Sequence, residues 1–291
     1  MTARTEQIEY QSDGLRISGI LHHPASPSSS GGAPAFMVLH GFGGTKQGAG
    51  SIATAEHLAE RGYAALRIDF RGCGESEGER GLVLCLDQVS DTRNGLSYLQ
   101  SRDDVDGRRL GVIGASFGAA VAVYSAGVDE RIGATISIGG WGDGERKFRR
   151  QHASPEAWEK FSTMLEEGGR RAARGERMMV ARFDIVPIPP HLRNNLAAGA
   201  HTEFPWEVAR SMYDFRADEV VGRIAPRPLL LIHASNDSVT PTQESVEMFL
   251  RAGQPTDLHL FAEVDHFLSA EKESRATSVL DSWLARYFPA R

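Results

Sequence analysis

Cysteine is scarce in this chain: only Cys73 and Cys85 occur among 291 residues. Two thiols cannot form a disulfide framework, and no Cys/His spacing resembles a metal site. They suit a reducing compartment, and neither is read as catalytic. An excess of positive charge is missing too, since 32 Lys and Arg face 38 Asp and Glu for a formal net charge of -6. Without a basic stripe to neutralise phosphates, nucleic acid is excluded as the expected partner. No apolar run reaches the roughly 18 residues that span a bilayer. The opening stretch MTARTEQIEYQSDG also has no hydrophobic core like that of a signal peptide. The expectation is a soluble, cytoplasmic protein without a membrane partner. At 41% hydrophobic and 24% charged, the chain can bury the core of one large α/β domain, with room for an inserted subdomain.

The most informative stretch is residues 108–127, RRLGVIGASFGAAVAVYSAG. An apolar run at 110–113 leads into Gly114-Ala115-Ser116-Phe117-Gly118, and a run of small residues at helical spacing follows. This predicts strand, sharp turn and helix. In such a turn the serine backbone is strained and the flanking glycines make room for the crossing chain. Ser116 then stands at a helix N-terminus, where the Phe117 amide and the helix dipole can stabilise an oxyanion. The plainer reading is a glycine-rich turn in which the serine only caps the helix.

Around that centre the chain reads as alternating elements. Residues 6–10 and 15–21 predict an antiparallel hairpin, and 24–34 a surface loop. A strand at 36–39 enters His40-Gly41-Phe42-Gly43-Gly44, ahead of a helix at 51–61 with Gly62 as its C-terminal stop. Glycines at that strand end let backbone amides face a cavity, and the Phe42 N–H is the natural second oxyanion donor. A strand at 64–70 follows, in which Asp69 and Arg71 are read as tying the next loop together. The core-facing helix expected at 82–100 uses Leu82, Leu86, Val89, Leu96 and Leu99. Strands at 134–138, 228–233 and 257–261, with helices at 243–251 and 274–287, complete a mostly parallel sheet with crossover helices.

Between 141 and 207 the periodicity turns helical and irregular. Its arginines, including Arg146, Arg149, Arg170 and Arg171, are balanced by acidic residues and read as solvated helix faces. The aromatics Trp141, Trp158, Phe161, Phe183, Phe204 and Trp206 are expected to hold the segment onto the sheet. The predicted organisation is a core domain, 1–140 and 208–291, interrupted by a helical cap, 141–207.

A serine hydroxyl needs a base within hydrogen-bond reach and an acid to orient that base. Ser116, Asp237 and His266 each lie just after a predicted strand, where loops at the carboxyl ends of a parallel sheet converge. Asp265 adjoins His266 and would struggle to fold back onto its imidazole. His233 and His259 sit within strands and are read as packed in the core. Ser116 as nucleophile, His266 as base and Asp237 as orienting acid is therefore the preferred set.

These motifs resemble the α/β-hydrolase superfamily, and within it the dienelactone hydrolase-like and S15 peptidase-like serine esterases. His40-Gly41-Phe42-Gly43 resembles the oxyanion loop, residues 69–76 the structural turn after the next strand, and 114–118 the nucleophile elbow. Asn236-Asp237 with Val239 and Pro241 resembles the acid loop, and Asp265-His266-Phe267 the base loop. The order serine, acid, histidine also matches. The resemblance implies the α/β-hydrolase fold and acyl transfer through Ser116. It also implies an oxyanion held by the Phe42 and Phe117 amides, with no cofactor and no metal.

The expected activity is hydrolysis of a carboxylic ester of a small or medium, fairly apolar molecule. Carbon–carbon, thioester or peptide cleavage would use the same triad. A peptidase acting at an N-terminus would call for acidic residues near the site, for which Glu203 and Glu207 are the candidates. A receptor that keeps the fold without turnover is the reading outside enzymology. Exposed edge strands and the cap would allow a homodimer.

Overall fold

A computed structural model describes residues 4–25, 32–268 and 275–290. The predicted loop at 24–34 and the start of the predicted closing helix at Ser274 fall partly outside them. Strands β1 (Thr5–Ser12) and β2 (Leu15–His22) form an antiparallel hairpin. Next come β3 (Ala33–Leu39), helix α1 (Ala49–Glu60), β4 (Ala64–Ile68), α2 (Cys85–Gln100), β5 (Val105–Ala115), α3 (Phe117–Val128) and β6 (Ile132–Ile138). After an insertion, β9 (Leu229–Ala234), α8 (Gln243–Arg251), β10 (Thr256–Phe261) and α9 (Arg275–Tyr287) complete the core. The eight strands run in the order β1-β2-β4-β3-β5-β6-β9-β10, parallel from β4 to β10.

The central strands are apolar without interruption because both faces of the sheet are covered. Alternate residues feed two separate cores. Met37, Leu39, Leu110, Val112, Leu229 and Leu231 pack with α2, α3 and the insertion. On the opposite face Phe36, Val38, Ile113, Ile136, Leu230 and Ile232 meet α1 and α9. Leu86 departs from the expected pattern: it is 57% exposed, and Val89, Leu96 and Leu99 carry the buried face of α2.

The insertion contains α4 (Gly144–Gln151), α5 (Pro155–Ala172), a short antiparallel ribbon of β7 (Met179–Ala181) and β8 (Glu203–Pro205), α6 (Arg182–Ile185) and α7 (Trp206–Asp214). Helix α4 is capped by Asp143 and α5 by Ser154, each accepting from a backbone N–H in the first turn. The ribbon has no sequence signal because its strands are three residues long and one ends in proline. Helix α7 runs across position 207/208. Trp206 seals it to α5 by donating its indole N–H to the Leu165 carbonyl at 3.0 Å, over a Gly168 that leaves no room for a Cβ.

Arg149, Arg170 and Arg171 do lie on exposed helix faces beside glutamates. Arg146 does not: it donates to Glu244 and Asp218, both buried, and fastens α4 to α8.

Candidate active site

Strand β5 ends at Ala115 and α3 begins at Phe117, so a single residue makes the turn. That residue, Ser116, has φ 55° and ψ -115°, a conformation costly for any side chain that carries a Cβ. Its own N–H donates to the Ile138 carbonyl at the end of β6, at 2.8 Å. Both flanking glycines are sterically required. A Cβ on Gly114 would overlap the backbone of Gly118, and one on Gly118 would overlap the carbonyls of Leu39 and His40.

The structure brings the three residues expected from sequence into one hydrogen-bonded chain. His266 Nε2 lies 2.8 Å from Ser116 Oγ, and His266 Nδ1 lies 2.8 Å from Asp237 Oδ2. The residues come from loops after β5, β9 and β10, and Gly139, in the left-handed region at φ 64° after β6, borders the His266 ring. Asp237 is fixed independently of the imidazole, because its Oδ1 accepts the Val239 and Thr240 amides at 2.8 and 2.7 Å. Burial disfavours its charge. The two imidazoles beside it outweigh that cost and hold the carboxyl well below the usual carboxylate range.

One of those imidazoles, His233, was expected only to fill the core. It is fully buried, yet its Nε2 reaches both the Thr240 carbonyl at 3.0 Å and Asp237 Oδ2 at 3.2 Å, while Nδ1 meets Ser245 Oγ at 2.6 Å. Two oxygen acceptors at Nε2 place the proton there, so Nδ1 accepts from the Ser245 hydroxyl. The i, i+4 spacing of His233 and Asp237 was the available signal, obscured because the two straddle a strand end. His259 lies on β10 and is only partly buried. Asp265 does not orient His266; it accepts from Ser238 N–H and Oγ–H at 2.8 and 2.7 Å and joins the acid and base loops.

The loop after β3 faces Ser116. His40, buried and held below its ordinary pKa by desolvation, donates from Nδ1 to Gly41 O at 2.8 Å and accepts the Phe70 amide at Nε2. A neutral ring in this tautomer therefore braces the loop from both ends. Lys46 closes the loop's far side: Asp69 accepts its amide at 2.6 Å and its ammonium at 2.5 Å. Asp69 and Arg71 take separate partners, Arg71 binding Asp91 and Asp13. The Phe42 ring stacks on Phe204 of the insertion, with centroids 4.3 Å apart. Among the described residues the Phe42 N–H has no hydrogen-bond partner, and Phe117 stands at the first position of α3, where no intrahelical acceptor exists.

A cavity of about 140 Å³ opens over Ser116 and His266. Its floor is the loop from His40 to Gly44, and its far wall comes from the insertion through Arg182, Val186, Ile188, Leu196 and Ala200. Among the described residues, no aspartate or glutamate lines it. Glu203 is exposed on β8 and Glu207 lies in the first turn of α7; neither borders the cavity.

The parallel sheet and the strand-end site define an α/β-hydrolase fold. The chain belongs to the X-Pro dipeptidyl-peptidase (S15) family, which it matches over residues 13–267. Among individual relatives, the quorum-quenching protein AidA of Acinetobacter baumannii is 32% identical over 131 residues, which is 45% of this chain and 42% of that protein. The acyltransferase drtE of Aspergillus calidoustus is 24% identical over 281 residues, covering 87% and 85%. In three dimensions the chain is similar to the α/β hydrolase GrgF from Penicillium sp. sh18, with TM-score 0.79 and 21% identity over 98% and 99% of the two chains. It also resembles Est1E from Butyrivibrio proteoclasticus, solved with ferulic acid bound, at TM-score 0.68 and 18% identity over 96% and 98%. Among the described residues, no helix is long and apolar enough to cross a membrane.

Proposed function

We propose that the protein is a serine hydrolase of the carboxylesterase type, with Ser116, His266 and Asp237 as its catalytic triad. The observation that carries this reading is the unbroken chain from Ser116 Oγ through both imidazole nitrogens to a carboxylate already held by two amides. Ser116 attacks the ester carbonyl while His266 Nε2 takes its proton. Asp237 keeps the Nδ1 proton in place and stabilises the imidazolium that forms. Negative charge builds on the carbonyl oxygen, and the Phe42 and Phe117 N–H groups receive it in a site where water cannot compete. His266 returns the proton to the departing alcohol, and a water molecule activated by the same imidazole releases the acid. Residues 141–207 serve as a cap whose apolar side chains size the acyl group.

The family's name raises the alternative of cleavage behind an N-terminal dipeptide. A free ammonium buried in this cavity would need a carboxylate partner, and among the described residues the wall supplies none. An ester with no positive charge fits better. The relative named an acyltransferase suggests a second fate for the same acyl-enzyme, transfer to an acceptor other than water.

The test is initial-rate hydrolysis of p-nitrophenyl esters from acetate to decanoate. A cavity of this order holds a benzene-sized group, so rates are expected to peak at acyl chains of roughly six carbons or fewer. Ser116→Ala is expected to remove the activity. A folded wild-type protein inert towards the whole series would count against the esterase reading.

A further inference from the structure

Among the described residues, Arg182 is the one arginine or lysine on the cavity wall, and it has no acid to answer it. It opens α6 with its side chain 4% exposed. Of the five N–H groups of a guanidinium, Nη1 gives one to the His201 carbonyl at 3.0 Å and Nη2 gives one to the Phe42 carbonyl at 2.5 Å. Nε has no partner among the described residues. The rings of Phe42 and Phe204 flank the guanidinium at 5.2 and 5.8 Å.

Arg67 and Lys147 are also buried without a carboxylate partner among the described residues, but neither borders this cavity, and two further buried cations are treated differently. Arg71 is met by Asp91 and Asp13, and Lys46 by Asp69 and Glu75. Near Arg182 the titratable neighbours are the Cys73 thiol, which burial pushes up to about 12 and so keeps neutral, and the His201 imidazole, which desolvation holds below its ordinary value. Desolvation correspondingly pulls the guanidinium down to about 10. A buried cation without a counter-ion is expensive, and carbonyls and ring faces offset only part of that cost. The remaining donors belong to a side chain that borders the same cavity as Ser116.

Resting on the esterase reading above, we infer that the natural substrate carries a carboxylate, received by the unspent N–H groups of Arg182 while Val186, Ile188 and Leu196 cover its apolar chain. The anion takes no part in bond breaking; it orients the ester over Ser116. Because Arg182 also holds the Phe42 carbonyl, binding of the anion and the setting of the oxyanion loop share one side chain. Planar, bidentate recognition of this kind is a property of arginine that lysine does not reproduce.

Two p-nitrophenyl esters of similar chain length separate the possibilities: mono-p-nitrophenyl glutarate, with a free carboxylate, and p-nitrophenyl valerate, without one. At pH 7.5 the wild-type protein is expected to favour the glutarate at least tenfold in kcat/KM, through KM. Arg182→Met and Arg182→Lys should lower both rates through the Phe42 contact, but the glutarate rate by at least ten times more, with KM carrying the excess. Ser116-dependent valerate hydrolysis with no glutarate preference would overturn the anion site and leave the esterase reading standing. An equal loss on both esters in folded variants would also overturn it, assigning Arg182 to the loop alone. If neither ester is cleaved, the esterase reading fails and calorimetry with glutarate decides the site. Binding that disappears in Arg182→Met supports it, and no binding by the wild type overturns it.

Discussion

Replacing Asp237 by asparagine changes one atom and should all but abolish turnover. The native carboxylate accepts four N–H donors: the Val239 and Thr240 amides on Oδ1, and His266 Nδ1 and His233 Nε2 on Oδ2. An asparagine that keeps its oxygen towards the two amides must turn its NH2 group onto both imidazoles. His266 Nδ1 would then accept and its proton would move to Nε2, where it blocks proton transfer from Ser116. The opposite flip sets NH2 against two amide donors and is worse. A triad with its histidine in the wrong tautomer loses about 10³ to 10⁴ in kcat, or roughly 4 to 5.5 kcal/mol of transition-state stabilisation. The assay is ester hydrolysis at saturating substrate, where KM should change by only a few-fold. Stability gives a second readout. A carboxyl whose folded pKa lies below its unfolded value stabilises the protein above the unfolded pKa, and that contribution is lost as pH falls through the folded value. Urea unfolding of the variant should therefore show a shallower loss of stability below about pH 4. A fall in kcat of less than tenfold would refute the assignment of Asp237 as the orienting acid.

Other changes probe the scaffold. Removing the His233 imidazole with His233→Ala withdraws one donor from Asp237; a loss of about 1.5 kcal/mol for a hydrogen bond to a charged group, or roughly tenfold in kcat, is expected from stopped-flow ester kinetics. Gly118→Ala drives a Cβ into the Leu39 and His40 carbonyls, and chemical denaturation should show destabilisation of about 3 kcal/mol or more. Lys147 is buried with its ammonium against the Trp141 and Phe148 rings and, among the described residues, no hydrogen-bond acceptor, and desolvation pulls it down to about 7. Between pH 7 and 10 the unfolded chain binds a proton there that the folded chain does not, so this group makes wild-type stability rise with pH. Lys147→Met should stabilise the protein by about 1 to 3 kcal/mol at pH 7, with a smaller gain at pH 9 in parallel urea titrations.

The sheet was legible because strands buried on both faces must be apolar throughout, as at 110–113 and 229–232. Ser116, Asp237 and His266 were legible for a related reason: each follows such a run, and parallel strands deliver their carboxyl ends to one edge. Arg182 was not legible. What sets it apart is that it borders the cavity and no acid among the described residues pairs with it, and the arginines of the insertion look alike until the chain is folded. Arg146 shows the same limit, since its partner Glu244 is 98 residues away. His233 escaped because a histidine inside a strand can fill the core and touch the Asp237 carboxylate at once. The ribbon of β7 and β8 is held by long-range pairing that three-residue strands cannot announce.

The most direct measurement is covalent labelling with an alkyl p-nitrophenyl phosphonate, which phosphonylates an activated serine and mimics the tetrahedral intermediate. Peptide mapping by mass spectrometry should place a single adduct on Ser116, with stoichiometric p-nitrophenol release and complete loss of esterase activity. Labelling should be absent in Ser116→Ala and strongly slowed in Asp237→Asn. An adduct on another residue, or a fully labelled Ser116 with esterase activity intact, would contradict the assignment of Ser116 as the nucleophile.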